Sequence, residues 1–113
     1  MQSLYAKYIL EREGTRTFET ENFFFTYKII ECAGVLEFHV FDIFVDPEAR
    51  HSMVTFNLMD TIDKMSKEIG AKYIVSQVVI GTPNAEKSLN LQFRWGMKLW
   101  RCEGSIIYLN KEI

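Results

Sequence analysis

The sequence has little cysteine and no compact set of metal ligands. Cys32 and Cys102 are its two cysteines, and they lack the close spacing of a zinc site or a redox pair. They are predicted to be reduced thiols of a cytoplasmic protein, with a single disulfide as the alternative. A lone histidine such as His39, with no second ligand in register, does not make a metal site. We therefore predict no metal site.

Long apolar runs and blocks of like charge are also absent. No run approaches the length of a bilayer-spanning helix, and Met1 to Leu10 lacks the layout of a signal peptide. The formal net charge of −2 gives no reason to expect a nucleic-acid backbone or an anionic membrane as partner. We expect a cytoplasmic protein that binds neither nucleic acid nor membrane.

Apolar and aromatic residues, in contrast, are plentiful. They include nine Phe, five Tyr and two Trp, and 48% of the 113 residues are hydrophobic. This composition excludes intrinsic disorder and is sufficient for one buried core. We predict a single domain over residues 1–113.

Hydrophobic periodicity and turn residues predict the order helix, two strands, helix, strand, helix, two strands. The predicted helices and strands are, in order, 3–12, 23–31, 36–45, 52–69, 71–80, 83–95, 97–102 and 105–109. Residues 17–20 are polar and β-prone but are not counted as an element. Ala33-Gly34 and Glu103-Gly104 are predicted turns between antiparallel strands, and Thr82 and Pro83 are predicted to begin the third helix.

The stretch Phe41 to Ile69 organises the chain. An apolar strand ends at Val45, a polar turn follows, and a helix then begins with Ser52 as its predicted N-cap. Val54, Leu58, Ile62, Met65 and Ile69 recur at helical spacing, and Gly70 ends the helix. A charged outer face of this helix is predicted to be solvated: Asp60, Asp63, Lys64, Lys67 and Glu68. The start of the helix is either an anion site or an ordinary connection.

Three polar residues interrupt the strand that ends at Val45. This strand is predicted to be central and covered on both faces, so a carboxylate in it needs a hydrogen-bond or ionic partner. Asp42 is either a structural carboxylate that accepts nearby N–H groups or a catalytic base. His39 is predicted to be a core or edge histidine, and Glu37, nearer the turn, to be solvated.

The predicted strand, helix and strand over 36–80 form a right-handed crossover between two parallel strands. The turn after Val45 then lies at the carboxyl end of the sheet. Crevices at that end are where open α/β sheets bind ligands.

The element order and three short motifs resemble the GNAT superfamily of acetyl-CoA-dependent N-acetyltransferases. The motifs are Val45-Asp46-Pro47-Glu48-Ala49-Arg50 before a helix, Lys67-Glu68-Ile69-Gly70-Ala71-Lys72-Tyr73-Ile74, and Ser88-Leu89 followed by Gly96-Met97-Lys98-Leu99. The sequence is most similar to short versions found among bacteriophage proteins, over roughly residues 23–113. The resemblance implies an α/β (α+β) fold with a mixed, mostly antiparallel sheet, a central parallel strand pair and helices on both faces. The family's first strand has no clear counterpart before Phe23.

The resemblance also implies acetyl-CoA as cofactor. The turn that wraps the coenzyme A pyrophosphate in the family falls on Arg50, His51, Ser52, Met53, Val54 and Thr55. Met53 and Thr55 stand where the family has small residues. Backbone groups of Phe44 and Val45 would hold the pantetheine and polarise the thioester carbonyl, and Asn84 would correspond to an asparagine before the next helix.

The catalytic residues implied by the resemblance are incomplete. Gln92 occupies the position of a tyrosine that protonates the departing thiolate, and glutamine is not a general acid. Asp42 is the preferred candidate base and Glu37 the second. Tyr73 and Tyr108 are candidate acids, whereas Phe93 and Trp95 are predicted core residues.

Three functions follow as alternatives. The first, which we favour, is an N-acetyltransferase that transfers acetyl from acetyl-CoA to an amine of a protein or small molecule by direct attack. The second is a catalytically inactive GNAT-fold binding protein that docks on a host partner in the host cytoplasm, if it is encoded by a phage. The third is a homo-oligomeric structural protein, possible as a homodimer, whose interface is formed by exposed aromatic residues, Phe23 to Phe25 and Trp100.

Overall fold

Aromatic and β-branched residues build most of the chain into one six-stranded sheet. The computed structural model describes residues 3–50 and 53–113. Its helices are α1 (Leu4–Glu13), α2 (Val54–Ile69) and α3 (Ala85–Trp95), with a short 3-10 turn at Pro47–Ala49. Its strands are β1 (Arg16–Glu19), β2 (Phe23–Cys32), β3 (Val35–Val45), β4 (Tyr73–Val79), β5 (Lys98–Glu103) and β6 (Ile106–Glu112).

The sheet has the strand order β1-β2-β3-β4-β6-β5. β3 and β4 are parallel, and every other neighbouring pair is antiparallel. This confirms a mixed, mostly antiparallel sheet with a central parallel pair. The edge strand β1, which precedes Phe23, was not in the predicted order because its short polar sequence carries no hydrophobic alternation.

The two faces of the sheet are covered by different helices. Phe25 and Phe38, which point to one face, pack with Leu58 and Ile62 of α2 in the main core. Residues of the opposite face, such as Thr26, line a pocket together with residues of α1. Helices therefore cover both faces, as predicted.

The aromatic cluster at the start of β2 is mostly internal. Phe23 and Phe25 are buried in the core, and Phe24 stacks on Phe44 with ring centroids 5.8 Å apart. The predicted aromatic interface is therefore wrong for Phe23 and Phe25, because alternation along β2 turns both rings into the core. Trp100 on β5 is exposed.

The predicted apolar stripe of α2 is confirmed. Leu58 and Ile62 are fully buried, and Val54, Met65 and Ile69 pack against the same core. Gly70 ends the helix in the left-handed conformation, with φ of 84°. The N-cap position is at Met53, which makes no side-chain capping hydrogen bond. Ser52, the predicted cap, lies outside the described residues, as does His51.

Asp63 corrects the prediction of a solvated outer face on α2. Its Oδ2 accepts a 3.0 Å hydrogen bond from Nε1 of Trp95, and its Oδ1 lies 3.3 Å from Nζ of Lys111. Asp63 thus joins α2 to α3 and to β6. Asp63 does not belong to the apolar stripe of α2, but α3 and β6 lie beside it in the folded chain.

Some element boundaries also differ from prediction. The structure begins α3 at Ala85, because Asn84 adopts a left-handed conformation with φ of 68°, which a helix cannot include. The Thr82 hydroxyl donates to the carbonyl of Val79 at 2.7 Å instead of capping the helix. The β5–β6 turn lies at Gly104-Ser105, one residue later than predicted. The Ala33-Gly34 turn is confirmed, with φ of 52° and 82°.

The two cysteines form no disulfide, as predicted. Cys32 and Cys102 are free and exposed on β2 and β5. Among the described residues, no helix is long and apolar enough to cross a membrane.

Replacing Asp63 tests its role as a tertiary contact. We expect Asp63→Ala to lower the free energy of unfolding by about 1–2 kcal/mol, because the indole N–H of Trp95 loses its acceptor. The matched control is Asp60→Ala. The Asp60 side chain is 48% exposed and pairs with Lys64, whereas that of Asp63 is 27% exposed. We expect a change below about 0.5 kcal/mol for the control. Equal losses in urea denaturation of the two variants would contradict the assignment.

Candidate functional site

The parallel strands β3 and β4 are paired along only part of their length. Their register covers Glu37 to His39 against Tyr73 to Val75. Beyond these residues β3 stays paired with β2 as far as Val45, while β4 stays paired with β6 as far as Val79. The carboxyl halves of the two strands therefore separate, and a gap opens in the middle of the sheet.

This separation corrects the prediction that β3 is covered on both faces. Ile43 and Phe44 are 43% and 46% exposed. Their exposure follows from the loss of β4 as a neighbour. Apolar side chains are consequently available at the gap rather than in the core.

A β-bulge bends β3 at the point where the gap opens. The pairs Phe25–Ile43 and Tyr27–Val40 leave Phe41 and Asp42 opposite the single residue Thr26. A bulge of this kind bends the strand and increases its twist. Sequence analysis did not find it, because a bulge is a property of the register between two strands.

The Thr26 hydroxyl forms hydrogen bonds with Asp42 in the bulge. Thr26 Oγ1 accepts the backbone N–H of Asp42 at 3.0 Å and donates to Oδ2 of Asp42 at 3.0 Å. Thr26 is buried, whereas Asp42 is exposed at the mouth of the gap. Asp42 thus accepts a hydroxyl, rather than the N–H groups of the structural alternative, and its Oδ1 makes no hydrogen bond with the described residues.

The backbone of β3 beyond the bulge faces the gap at alternate residues. Asp46 donates its N–H to the carbonyl of Asn22 at 2.7 Å, so Phe44 also directs its backbone groups to β2. The N–H and C=O groups of Ile43 and Val45 then point away from β2, into the gap. Of the two predicted contact residues, Val45 presents its backbone there and Phe44 presents its ring.

Arg50 lies against the end of β3. Its Nε donates to the carbonyl of Val45 at 2.9 Å, and its guanidinium is 5.3 Å from the centroid of the Phe44 ring. The Asp46 carboxylate accepts the N–H of Glu48 at 3.0 Å and so shapes the turn that precedes Arg50. The arginine is therefore held at the carboxyl end of the gap.

Helices α2 and α3 both begin at this end of the sheet, because each follows a diverging strand. Met53 is largely exposed and Thr55 is half-buried at the start of α2. Asn84, at the start of α3, is exposed and makes no capping hydrogen bond. First-turn N–H groups of a helix have no acceptor within the helix and favour anions.

A pocket of about 480 Å³ adjoins the gap on the face covered by α1. It is lined by residues of α1, the strands and the first loop: Tyr5, Ile9, Glu13, Thr15, Thr26, Lys28, Phe41, Asp42 and Gln77. Asp42 belongs to β3 and Gln77 to β4, so the floor of the pocket crosses the gap. Sequence analysis found only Asp42 among these residues. Thr26 and Lys28 alternate with buried aromatic residues along β2. This alternation is the sequence signal that could have identified the face of β2 that lines the pocket.

The two candidate bases lie in different places. Glu37 is in the paired half of β3, roughly 15 Å along the strand from Asp42. It is not solvated as predicted: its Oε1 lies 3.0 Å from Nε2 of His39, and both side chains are about four-fifths buried. His39 lies between Glu37 and the ring of Phe41. Asp42 alone of the two carboxylates lines the pocket.

The candidate acids are also separated. Tyr73 is at the amino end of β4, opposite Glu37 and away from the gap. Tyr108 on β6 is the cross-strand neighbour of the pocket residue Gln77, and the Arg101 guanidinium lies 4.8 Å from its ring centroid. Tyr108 is therefore the tyrosine closer to the pocket.

Gln92 is engaged inside the protein. Its amide oxygen accepts the Ser76 hydroxyl, and its Nε2 donates to Oγ of Ser88 at 3.1 Å. Trp95 packs against the core as predicted. The core prediction for Phe93 is wrong, since Phe93 is 47% exposed on the outer side of α3.

The described residues contain no group of three His, Cys, Asp or Glu side chains that could hold a metal ion. The chemistry available here comes from backbone groups in the gap, the helix N-termini and the Asp42 carboxylate.

No protein-family model matches the sequence, and no curated protein is detectably similar to it. Solved structures, however, share its fold. A GNAT-family acetyltransferase from Elizabethkingia anophelis with acetyl-CoA bound matches with a TM-score of 0.72 at 11% identity, over 98% of this chain and 86% of that one.

Two further matches are the PaiA N-acetyltransferase from Thermoplasma acidophilum in complex with coenzyme A and a GNAT-family acetyltransferase from Listeria monocytogenes. Their TM-scores are 0.69 and 0.66, at 18% and 14% identity, over 81% and 85% of this chain. The chain spans only 54% and 62% of these two proteins. The matches show that it has the GNAT fold.

The Thr26 hydroxyl can be tested as the group that holds the bulge. We expect Thr26→Val to lower the free energy of unfolding by about 1–3 kcal/mol, because the Asp42 N–H loses its acceptor. The Asp42 amide should then exchange with deuterium markedly faster than in the wild type, as NMR would measure. Thr26→Ser keeps the hydroxyl and should preserve the slow exchange of this amide. Unchanged Asp42 exchange in Thr26→Val would overturn the assignment.

Proposed function

We propose that the protein is an acetyl-CoA-dependent N-acyltransferase that transfers acetyl to an amine by direct attack. The observation that carries the proposal is the gap between β3 and β4, which adjoins a pocket lined by the carboxylate of Asp42. The GNAT fold and the coenzyme complexes of similar structures support it.

The gap fits an extended chain with amide groups, such as pantetheine. Ile43 and Val45 direct backbone donors and acceptors into it, while Phe44, Val79 and Ile80 offer exposed apolar surface at its carboxyl end. Main-chain hydrogen bonds to an exposed strand are a common way to bind such a ligand. Acetyl-CoA bound in this way would supply an acetyl thioester.

The pyrophosphate would lie at the start of α2. We assign its binding to Arg50, to the following residues through Thr55, and to Asn84 at the start of α3. A guanidinium and first-turn N–H groups are suited to a phosphate. Met53 stands where a small residue is expected, but its side chain points largely into solvent.

Asp42 is the proposed general base. The amine nitrogen forms a bond to the acetyl carbon as the carbon–sulfur bond breaks, and the nitrogen loses a proton that the Asp42 carboxylate accepts. The Thr26 hydroxyl orients this carboxylate through its Oδ2. The thiolate takes up a proton, for which Tyr108 is the better placed of the two candidate tyrosines. The products are the N-acetylated amine and coenzyme A.

A second candidate function is a GNAT-fold binding protein without catalysis. The observation that favours it is the engagement of Gln92 by Ser76 and Ser88, which leaves no acid at the position where the family has a tyrosine. Such a protein would act by docking on a partner, which is a host protein if the chain comes from a bacteriophage.

Acetyl-CoA binding separates the two candidates. We expect calorimetric titration of the pure protein to give a dissociation constant in the micromolar range, equivalent to about −8 kcal/mol. Arg50→Ala should weaken binding about tenfold, because a guanidinium–phosphate contact is lost. Arg94→Ala, an exposed arginine near the end of α3, is the control and should bind as the wild type does. No binding at millimolar acetyl-CoA would reject the enzyme.

Replacing Asp42 tests its role in the reaction. We expect Asp42→Asn to reduce the rate of thiol release from acetyl-CoA with an amine acceptor by about a hundredfold, while acetyl-CoA affinity stays unchanged. Asp60→Asn, an exposed carboxylate on α2, is the control and should keep the full rate. A full rate for Asp42→Asn together with a large loss of rate for Glu37→Gln would show that Glu37, and not Asp42, is the general base.

A further inference from the structure

The pocket beside the gap has a size and a charge pattern that identify a class of ligand. Its volume of about 480 Å³ lies in the range of small-molecule sites. Its floor reaches the gap where, under the proposed function, the acetyl group would be presented. The inference below rests on that function and names the acceptor.

Three charged side chains line the pocket: Asp42, Glu13 and Lys28. In the part of the chain that the structure describes, none of them forms an ion pair within 4 Å. Opposite charges that line one pocket without pairing are complementary to a ligand that carries both signs.

The positions of these charges set the spacing of the ligand groups. Thr26 and Lys28 are on the same face of β2, roughly 7 Å apart, and Thr26 holds Asp42. The Lys28 side chain extends toward the end of α1, where its Nζ lies 3.9 Å from the position of a Cβ at Gly14. The C-terminal carbonyls of α1 favour a cation at this place. The Lys28 side chain and the Asp42 carboxylate line the same pocket.

The remaining wall combines the polar side chains of Thr15 and Gln77 with three apolar or aromatic ones. Tyr5 and Ile9 are one helical turn apart on α1, and Phe41 faces the same pocket from β3. The ring of Phe41 stacks on that of His39, with the ring centroids 6.3 Å apart. A ligand with an apolar side chain would bury it against these three residues.

We propose that the pocket binds a free amino acid, with its amine at Asp42, its carboxylate at Lys28 and its side chain against Tyr5, Ile9 and Phe41. The amine then lies at the gap, where the acetyl group would be transferred. The N-terminus of a longer peptide also has an amine, but an amide replaces the carboxylate next to it. Lys28 would then have no anionic partner, so peptides are disfavoured.

The experiment measures binding to the full chain without acetyl-CoA, so its outcome does not depend on the coenzyme site. L-leucine, L-leucinamide and N-acetyl-L-leucine are titrated separately, and backbone amide shifts of pocket residues are followed by NMR. We expect L-leucine to bind and to shift Thr26, Lys28 and Asp42. Leucinamide, which lacks the carboxylate, and N-acetyl-leucine, which lacks the amine, should each bind at least about tenfold more weakly.

Variants of Lys28 show whether this residue causes the preference. Lys28→Gln should abolish the preference of leucine over leucinamide, whereas Lys28→Arg should retain it, since the positive charge remains. Lys64→Gln, an exposed lysine on α2, is the control and should behave as the wild type. Amide spectra report whether each variant is folded.

Three results would overturn the inference. They are equal binding of leucine and leucinamide by the wild type, an unchanged preference in folded Lys28→Gln, and no shift of pocket residues at 20 mM of any probe. Acetyl-CoA binding without leucine binding would reject this inference alone. Leucine binding without acetyl-CoA binding would reject the proposed transfer reaction and leave an amino-acid pocket.

Discussion

The hydrogen bonds between Thr26 and Asp42 are the contact on which the site depends. A bulge leaves backbone groups of one strand without a ladder partner, and such groups must be satisfied when water is excluded. The Thr26 hydroxyl supplies both an acceptor for the Asp42 N–H and a donor for its carboxylate. β3 can therefore bend away from β4 while it stays paired with β2. The gap, the exposed apolar residues at its mouth and the position of Asp42 all follow from this bend.

The other side of the gap is held by a different set of polar contacts. Asp63 links α2 to Trp95 on α3 and to Lys111 on β6, and Gln92 links α3 to Ser76 on β4. Because β4 and β6 are paired along their whole length, these contacts fix the β4 half of the sheet as one unit. The Gln92 amide is engaged in these contacts, through hydrogen bonds with Ser76 and Ser88.

Three pairs of a lysine or arginine with a carboxylate lie outside the pocket among the described residues, whereas the charged side chains that line the pocket form none. The Glu37 carboxylate lies 3.0 Å from His39 in the paired half of β3, and Asp60 and Asp63 on α2 have lysine partners. Asp42, Glu13 and Lys28 line one cavity on the α1 face. Uncompensated charges of both signs lower the stability of a fold slightly, and their placement beside the gap is what a binding site for a small zwitterion requires.

The sequence by itself determined the elements and much of their arrangement. Helical spacing from Val54 to Ile69, glycine stops and the strand–helix–strand crossover predicted the parallel pair and the carboxyl-end crevice, since these signals are local and periodic. It missed β1, whose short polar sequence has no such period. It also placed Asp63 in solvent and Phe23 and Phe25 at an interface, because the partners of those residues are remote in the chain.

Tertiary structure alone decided which of the predicted polar residues meet. Glu37 and Asp42 share a strand, yet one is paired in the closed half of the sheet and the other opens onto a pocket. The bulge that separates them exists only in the register between β2 and β3, and the pocket needs α1, β2, β3 and β4 together. The spacing of residues along the sequence determines neither the bulge nor the pocket. A one-residue shift between two strands changes the neighbours of every side chain beyond it.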